Sequence, residues 1–152
     1  MQKKFIIIIL ISLIIIILGI GILNNNDFNN QKIKVGDAYF TLPEGYHEGK
    51  LNDLGHINIT DNSHSIFISN ISGANITNYV NQYVDNLSET NQNVTLSNFT
   101  INGILVYKSM NLETGANHYW FVKDGKMYTI YNWEKNNDMD DICIDLIRSM
   151  KS

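Results

Sequence analysis

An α+β domain built on one antiparallel sheet, with two helices packed on it and an apolar helix ahead of it, is the fold class this sequence predicts. Three observations carry it. Two six-residue apolar stripes recur at helical spacing, 76–87 and 139–150. Alternating segments from 94 to 133 are joined by Asn102-Gly103 and Asp124-Gly125, dipeptides suited to tight hairpins. An uncharged run, Phe5 to Leu23, precedes everything else.

The run has only Ser12, Gly19 and Gly21 among its apolar residues. As a helix it is roughly 28 Å long, enough to cross a bilayer core. Lipid offers backbone groups no partners, so helix is the conformation expected there despite the many β-branched Ile residues. A cleaved signal peptide competes with this reading. It would have a shorter apolar core and a small-residue cleavage site, and Asn24-Asn25-Asn26-Asp27 supplies no Ala-x-Ala pattern. A buried soluble helix is the third reading. Lys3 and Lys4 precede the run and Lys32 is the next cation after it, so the positive-inside rule expects residues 1–4 in the cytoplasm. The expected organisation is a cytoplasmic N-terminus at 1–4, a single-pass signal anchor in the cell membrane at 5–23, a polar tether at 24–31 and an extracytoplasmic domain at 32–152.

Within that domain, Ile33 to Leu42 is expected as one strand, ended by Pro43-Glu44-Gly45. His56 to Thr60 alternates, with Ile57 and Ile59 on one face, and Asp61-Asn62-Ser63 turns the chain into a partner strand, Ser65 to Ile71. Ile76, Tyr79, Val80, Tyr83, Val84 and Leu87 form the stripe of a helix that Asn75 or Thr77 can cap. A four-strand meander follows: Val94–Ile101, Ile104–Asn111, Asn117–Lys123 and Lys126–Trp133. The last helix carries Met139, Ile142, Cys143, Leu146, Ile147 and Met150 on one face. Asn137 or Asp138 can cap it, with Asp140 and Asp141 at its positive end and Arg148 and Lys151 at its negative end. The order is β-β-β-α-β-β-β-β-α.

The net charge is −4, and −6 without Lys3 and Lys4, which argues against nucleic acid and against docking on anionic lipid. The lone Cys143 can form no internal disulfide; its place on the helical stripe reads as core. Six Asn-x-Ser/Thr sequons begin at Asn58, Asn70, Asn75, Asn86, Asn93 and Asn98. That is about twice what the Asn, Ser and Thr content gives by chance, and they are N-glycosylation candidates in an exported domain.

The segment Tyr39-Phe40-Thr41-Leu42-Pro43-Glu44-Gly45-Tyr46 is similar to the Phe-x-(Leu/Ile)-Pro-x-Gly-(Tyr/Trp) opening of Mog1/PsbP-like domains. With the element order, the chain resembles the small exported PsbP- and DcrB-related members. The resemblance implies a helix-covered antiparallel sheet and a non-enzymatic function. The family is functionally scattered, so no catalytic set is carried over.

The residues themselves name no reaction. His47, His56, His64 and His118 lack His-x-x-x-His and His-Glu-x-x-His spacing, and the first three read as loop histidines near acidic residues. Gly-x-Ser-x-Gly, Gly-x-Gly-x-x-Gly and P-loop patterns are absent, and Asp138, Asp140 and Asp141 lack the glycine and ligand alternation of a calcium loop. No metal or cofactor is expected. Alternation sends Tyr119 and Phe121 to one face and Trp120 to the other; Tyr107, Trp120 and Tyr128 are candidates for an exposed aromatic binding face. The expected function is a membrane-anchored, non-enzymatic binding or scaffolding module, its partner an envelope protein or a cell-wall polymer. An accessory subunit of a membrane complex is the alternative, and an uncharacterised hydrolase stands behind both.

Overall fold

A computed structural model describes residues 31–73, 75–90, 92–134 and 137–151. The N-terminal segment, the anchor and the tether up to residue 30 lie outside the described residues. Among the described residues, no helix is long and apolar enough to cross a membrane.

Where one strand is expected at 33–42, the chain instead folds back on itself. β1 (Lys32–Val35) and β2 (Ala38–Thr41) form a hairpin around Gly36-Asp37. Gly36 has φ +59°, at the position that a type II′ turn reserves for glycine. The alternation changes phase at this turn, with Ile33 and Val35 buried before it and Ala38, Phe40 and Leu42 after it. A two-residue strand β3 (His47–Glu48) pairs with β4 (Ile57–Thr60), so His47 is a strand residue rather than a loop one. Five strands therefore precede the first helix, not three, and they belong to two sheets, not one. After β5 (Ser65–Ile71) and α1 (Ile76–Glu89) come β6 (Val94–Ile101), β7 (Ile104–Asn111), β8 (Asn117–Lys123), β9 (Lys126–Asn132) and α2 (Asn137–Ser149).

The main sheet is antiparallel in the order β3-β4-β5-β9-β8-β7-β6. The two expected hairpin turns are present. Asn102 and Gly103 have φ of 49° and 80°, and Asp124 and Gly125 of 51° and 73°. Positive φ at both central residues is the type I′ signature, whose twist matches that of the flanking strands.

The front face carries the core. Ile59, Ile66, Ile68, Val106, Tyr119, Phe121, Tyr128 and Ile130 meet Met139, Cys143, Leu146 and Ile147 of α2 and Ile33, Phe40 and Leu42 of the β1–β2 hairpin. Polar contacts register α2 on the sheet: Asp140, in its first turn, accepts from Lys108 Nζ at 2.7 Å and from the Tyr119 hydroxyl. At the other end, Tyr39 and Lys151 exchange backbone hydrogen bonds, and Thr41 N donates to Ser149 Oγ at 3.0 Å. Hairpin and helix thus close over the front face together.

The back face is covered differently. Asn75 caps α1 by accepting from Asn78 N at 3.1 Å. The helix lays Tyr83 edge-on against Trp120, but of its stripe only Val80 is fully buried, and Tyr79 is exposed. A helix so shallowly seated covers part of this face and leaves the rest to loops.

Candidate functional site

The back face of β8 and β9 is aromatic because their register makes it so. The two-residue turn pairs Lys123 with Lys126, so His118 stands opposite Tyr131 and Trp120 opposite Thr129. The imidazole of His118 stacks on Trp120 (4.4 Å, 16°), lies tilted against Tyr131 (4.8 Å) and receives the edge of Tyr83 from α1 (4.8 Å). Burial holds this imidazole neutral, its pKa lowered to about 3, with His56 nearby adding a smaller push.

The Tyr131 hydroxyl accepts from Asn52 Nδ2 at 2.9 Å and lies 2.9 Å from His56 Nδ1. With Asn52 donating to it, the hydroxyl has its own proton to offer His56 Nδ1, whose imidazole pKa burial lowers. Asn52 Oδ1 accepts from the backbone of Leu54 and His56. One amide therefore shapes the 52–56 loop and ties it to the sheet.

A cleft of about 540 Å³ opens where β8 begins and β9 ends. Tyr83 and Leu87 of α1 line it, as does Trp133, past the end of β9. Trp133 is 59% exposed, and its indole meets Tyr131 edge-on at 5.1 Å. Carboxamides line it as well. Asn111 Nδ2 donates to Gln92 Oε1 at 2.8 Å, while Asn111 Oδ1 accepts from the backbone of Glu113 and Thr114 and so folds the loop beside the cleft. Asn117 and Asn132, paired across the ladder, also line it. Their Nδ2 groups donate to Gly115 and Glu134 carbonyls. Their Oδ1 atoms are buried and take no hydrogen bond among the described residues.

The candidate aromatics do not come together. Trp120 is fully buried beneath α1 on the back face; Tyr128 is 2% exposed on the front face, opposite Phe121 and stacked on it at 5.7 Å. Neither lines an exposed surface, because the register matches Tyr128 with Phe121 rather than with Trp120. Tyr107, opposite Trp120 in the β7–β8 ladder, is half-buried. Trp133, Gln92, Asn111, Asn117 and Asn132 are the site residues that sequence reasoning missed. Counting the register across Asp124-Gly125 would have set Trp133 on the face of Tyr131 and His118. Asn111, Asn117 and Asn132 read only as residues of the meander strands and gave no signal.

The sequons divide into two groups. Asn75, Asn86, Asn93 and Asn98 are exposed. Asn70 Nδ2 donates to the Met127 carbonyl at 3.1 Å, and Asn58 has a buried Oδ1 and a side chain lying against Gly49. Elsewhere His64 pairs with Asp61 at 3.0 Å, which raises the imidazole pKa and, together with backbone N–H groups of Ser63 and His64, lowers the carboxyl to about 2. Cys143 is buried in the core, and burial pushes its thiol well above the usual range. Among the described residues, no three His, Cys, Asp or Glu side chains converge in a metal-binding group.

These features define a helix-covered α+β domain: an antiparallel sheet, helices on both faces and an added hairpin. The solution structure of cyanobacterial PsbP (CyanoP) from Synechocystis sp. PCC 6803 is similar in fold, with a TM-score of 0.50 at 14% identity, over 80% of this chain and 91% of that one. No family model and no curated protein matches the sequence.

Proposed function

We propose that this chain is a membrane-anchored, extracytoplasmic binding module without catalytic activity, and that the cleft beside Trp133 is where it binds a component of the cell envelope. The observation that carries the reading is the cleft itself, which an exposed indole and several carboxamides line together and where, among the described residues, no titratable constellation suited to acid–base or nucleophilic work is at hand. Exposed large aromatics beside a concave polar surface are typical of recognition sites. The uncharged run 5–23 supports anchoring, and Lys3-Lys4 supports placement of the domain outside the cytoplasm. A PsbP-like fold is compatible with an accessory, non-catalytic domain.

The second reading, an accessory subunit held through its helix, is favoured by Ser12, Gly19 and Gly21, small residues that let membrane helices approach. One pair of variants separates the two. The full chain in lipid nanodiscs is co-sedimented with envelope fragments of its own cells, with Trp133→Ala and with residues 5–23 exchanged for an unrelated apolar helix. A surface binder loses retention with Trp133→Ala and keeps it after the exchange. An accessory subunit does the reverse, leaving its native complex when the helix is replaced. Retention of neither kind removes the binding-module reading.

A further inference from the structure

We propose that the cleft at the end of β8 and β9 binds a neutral saccharide, with the Trp133 indole as its stacking platform and the amides of Gln92 and Asn111 as its hydroxyl readers. This rests on the reading of the domain as an envelope-facing binder and names the chemical class that it takes.

The first support is charge. Among the described residues, none of the side chains that line the cleft is an acid, a lysine or an arginine, and the one imidazole, His118, is held neutral by its burial. A phosphate, carboxylate or ammonium ligand would give up hydration here and gain no countercharge. The second is the pairing of an apolar plate with carboxamides. A pyranose has a C–H face and a rim of hydroxyls, each both donor and acceptor. Indole faces suit the first, and carboxamides, which donate and accept side by side, suit the second. An apolar ligand would cover the same indole but use none of the donor and acceptor positions that Gln92 and Asn111 keep beyond their mutual hydrogen bond.

The third support is size. About 540 Å³ falls in the usual range for small-molecule clefts, and the exposed indole at its side lets a longer glycan continue into solvent.

The test uses the full chain in lipid nanodiscs, free of glycoside detergents. It is titrated with cellotetraose, mannotetraose, chitotetraose and, as the charged comparison, tetragalacturonate. The readouts are indole emission and its quenching by iodide. The two tryptophans differ in exposure, so a ligand over Trp133 shields the quenchable one, and Trp120→Phe retains the response. The expected result is saturable binding of at least one neutral oligosaccharide, weakened at least tenfold by Trp133→Ala, with tetragalacturonate weaker than its neutral counterparts.

Three results overturn the proposal: no saturable response to any neutral oligosaccharide, an unchanged response in Trp133→Ala, or tightest binding by tetragalacturonate. If envelope fragments still retain the chain in a Trp133-dependent way while no neutral oligosaccharide competes, the saccharide class is wrong and the binding-module reading stands. If retention fails too, both fall.

Discussion

His118 is an ionisable group placed where ionisation is unfavourable. Three aromatic rings surround it, and burial lowers its pKa to about 3. In the unfolded chain a histidine titrates near 6.5. Between those values the unfolded state binds a proton that the folded state does not, so stability rises with pH through this window and falls on acidification. While His118 alone governs the slope, the loss is about 1.4 kcal/mol per pH unit below 6.5. His118→Phe keeps an aromatic ring in the stack and removes the titration. Urea unfolding at pH 7 and pH 5 is therefore expected to show a smaller loss for the variant than for the parent. Equal losses would mean that the imidazole is already charged in the folded state. Asp61 and His64 show the opposite case at the surface, where an ion pair favours both charged forms.

Among the elements, α1 and α2 look equivalent as sequences and are not equivalent as packed helices. Each has six apolar residues at i, i+3, i+4, i+7, i+8 and i+11. Met139, Cys143, Leu146 and Ile147 of α2 are buried, whereas only Val80 of α1 is. A helix with so little burial depends more on its ends. Asn75→Ala removes the α1 cap and should cost about 1 kcal/mol, as cap losses typically do. Asn75→Asp keeps a capping oxygen while removing the sequon, so it should retain stability. Denaturation midpoints of the two variants check this; equal midpoints would show that the cap contributes nothing. The hairpins were more legible than the helices' depth. Asn102-Gly103 and Asp124-Gly125 specify their turns locally, because few other residue pairs accept positive φ twice in succession. The β1–β2 turn carries only one such residue, Gly36, and its partner Asp37 looks like any loop aspartate.

At the scale of the whole molecule, the two faces divide the labour. The front is a closed core under α2 and the hairpin, and the back carries the aromatic cluster and the cleft. The sequons follow the same geography. In a secretory pathway that glycosylates Asn-x-Ser/Thr, glycopeptide mapping should find occupancy among Asn75, Asn86, Asn93 and Asn98 and none at Asn58 or Asn70. The amide of Asn70 is spent on Met127 and Asn58 is packed against Gly49. Glycan at either of those two positions would contradict the packing described.

The fold class, the extents of the meander strands and both helices followed from the sequence alone, since turn chemistry and side-chain period act within a few residues and leave a readable pattern. The β1–β2 hairpin and the pairing of the aromatics across Asp124-Gly125 are local, and both could have been counted from their turns. The shallow seat of α1 and the cleft around Trp133 were decided only by tertiary structure, because each depends on which segments meet across long sequence separations. Gln92, Asn111, Asn117 and Asn132 are separate polar residues in the chain; only the folded arrangement of strand ends and loops brings them to one cleft.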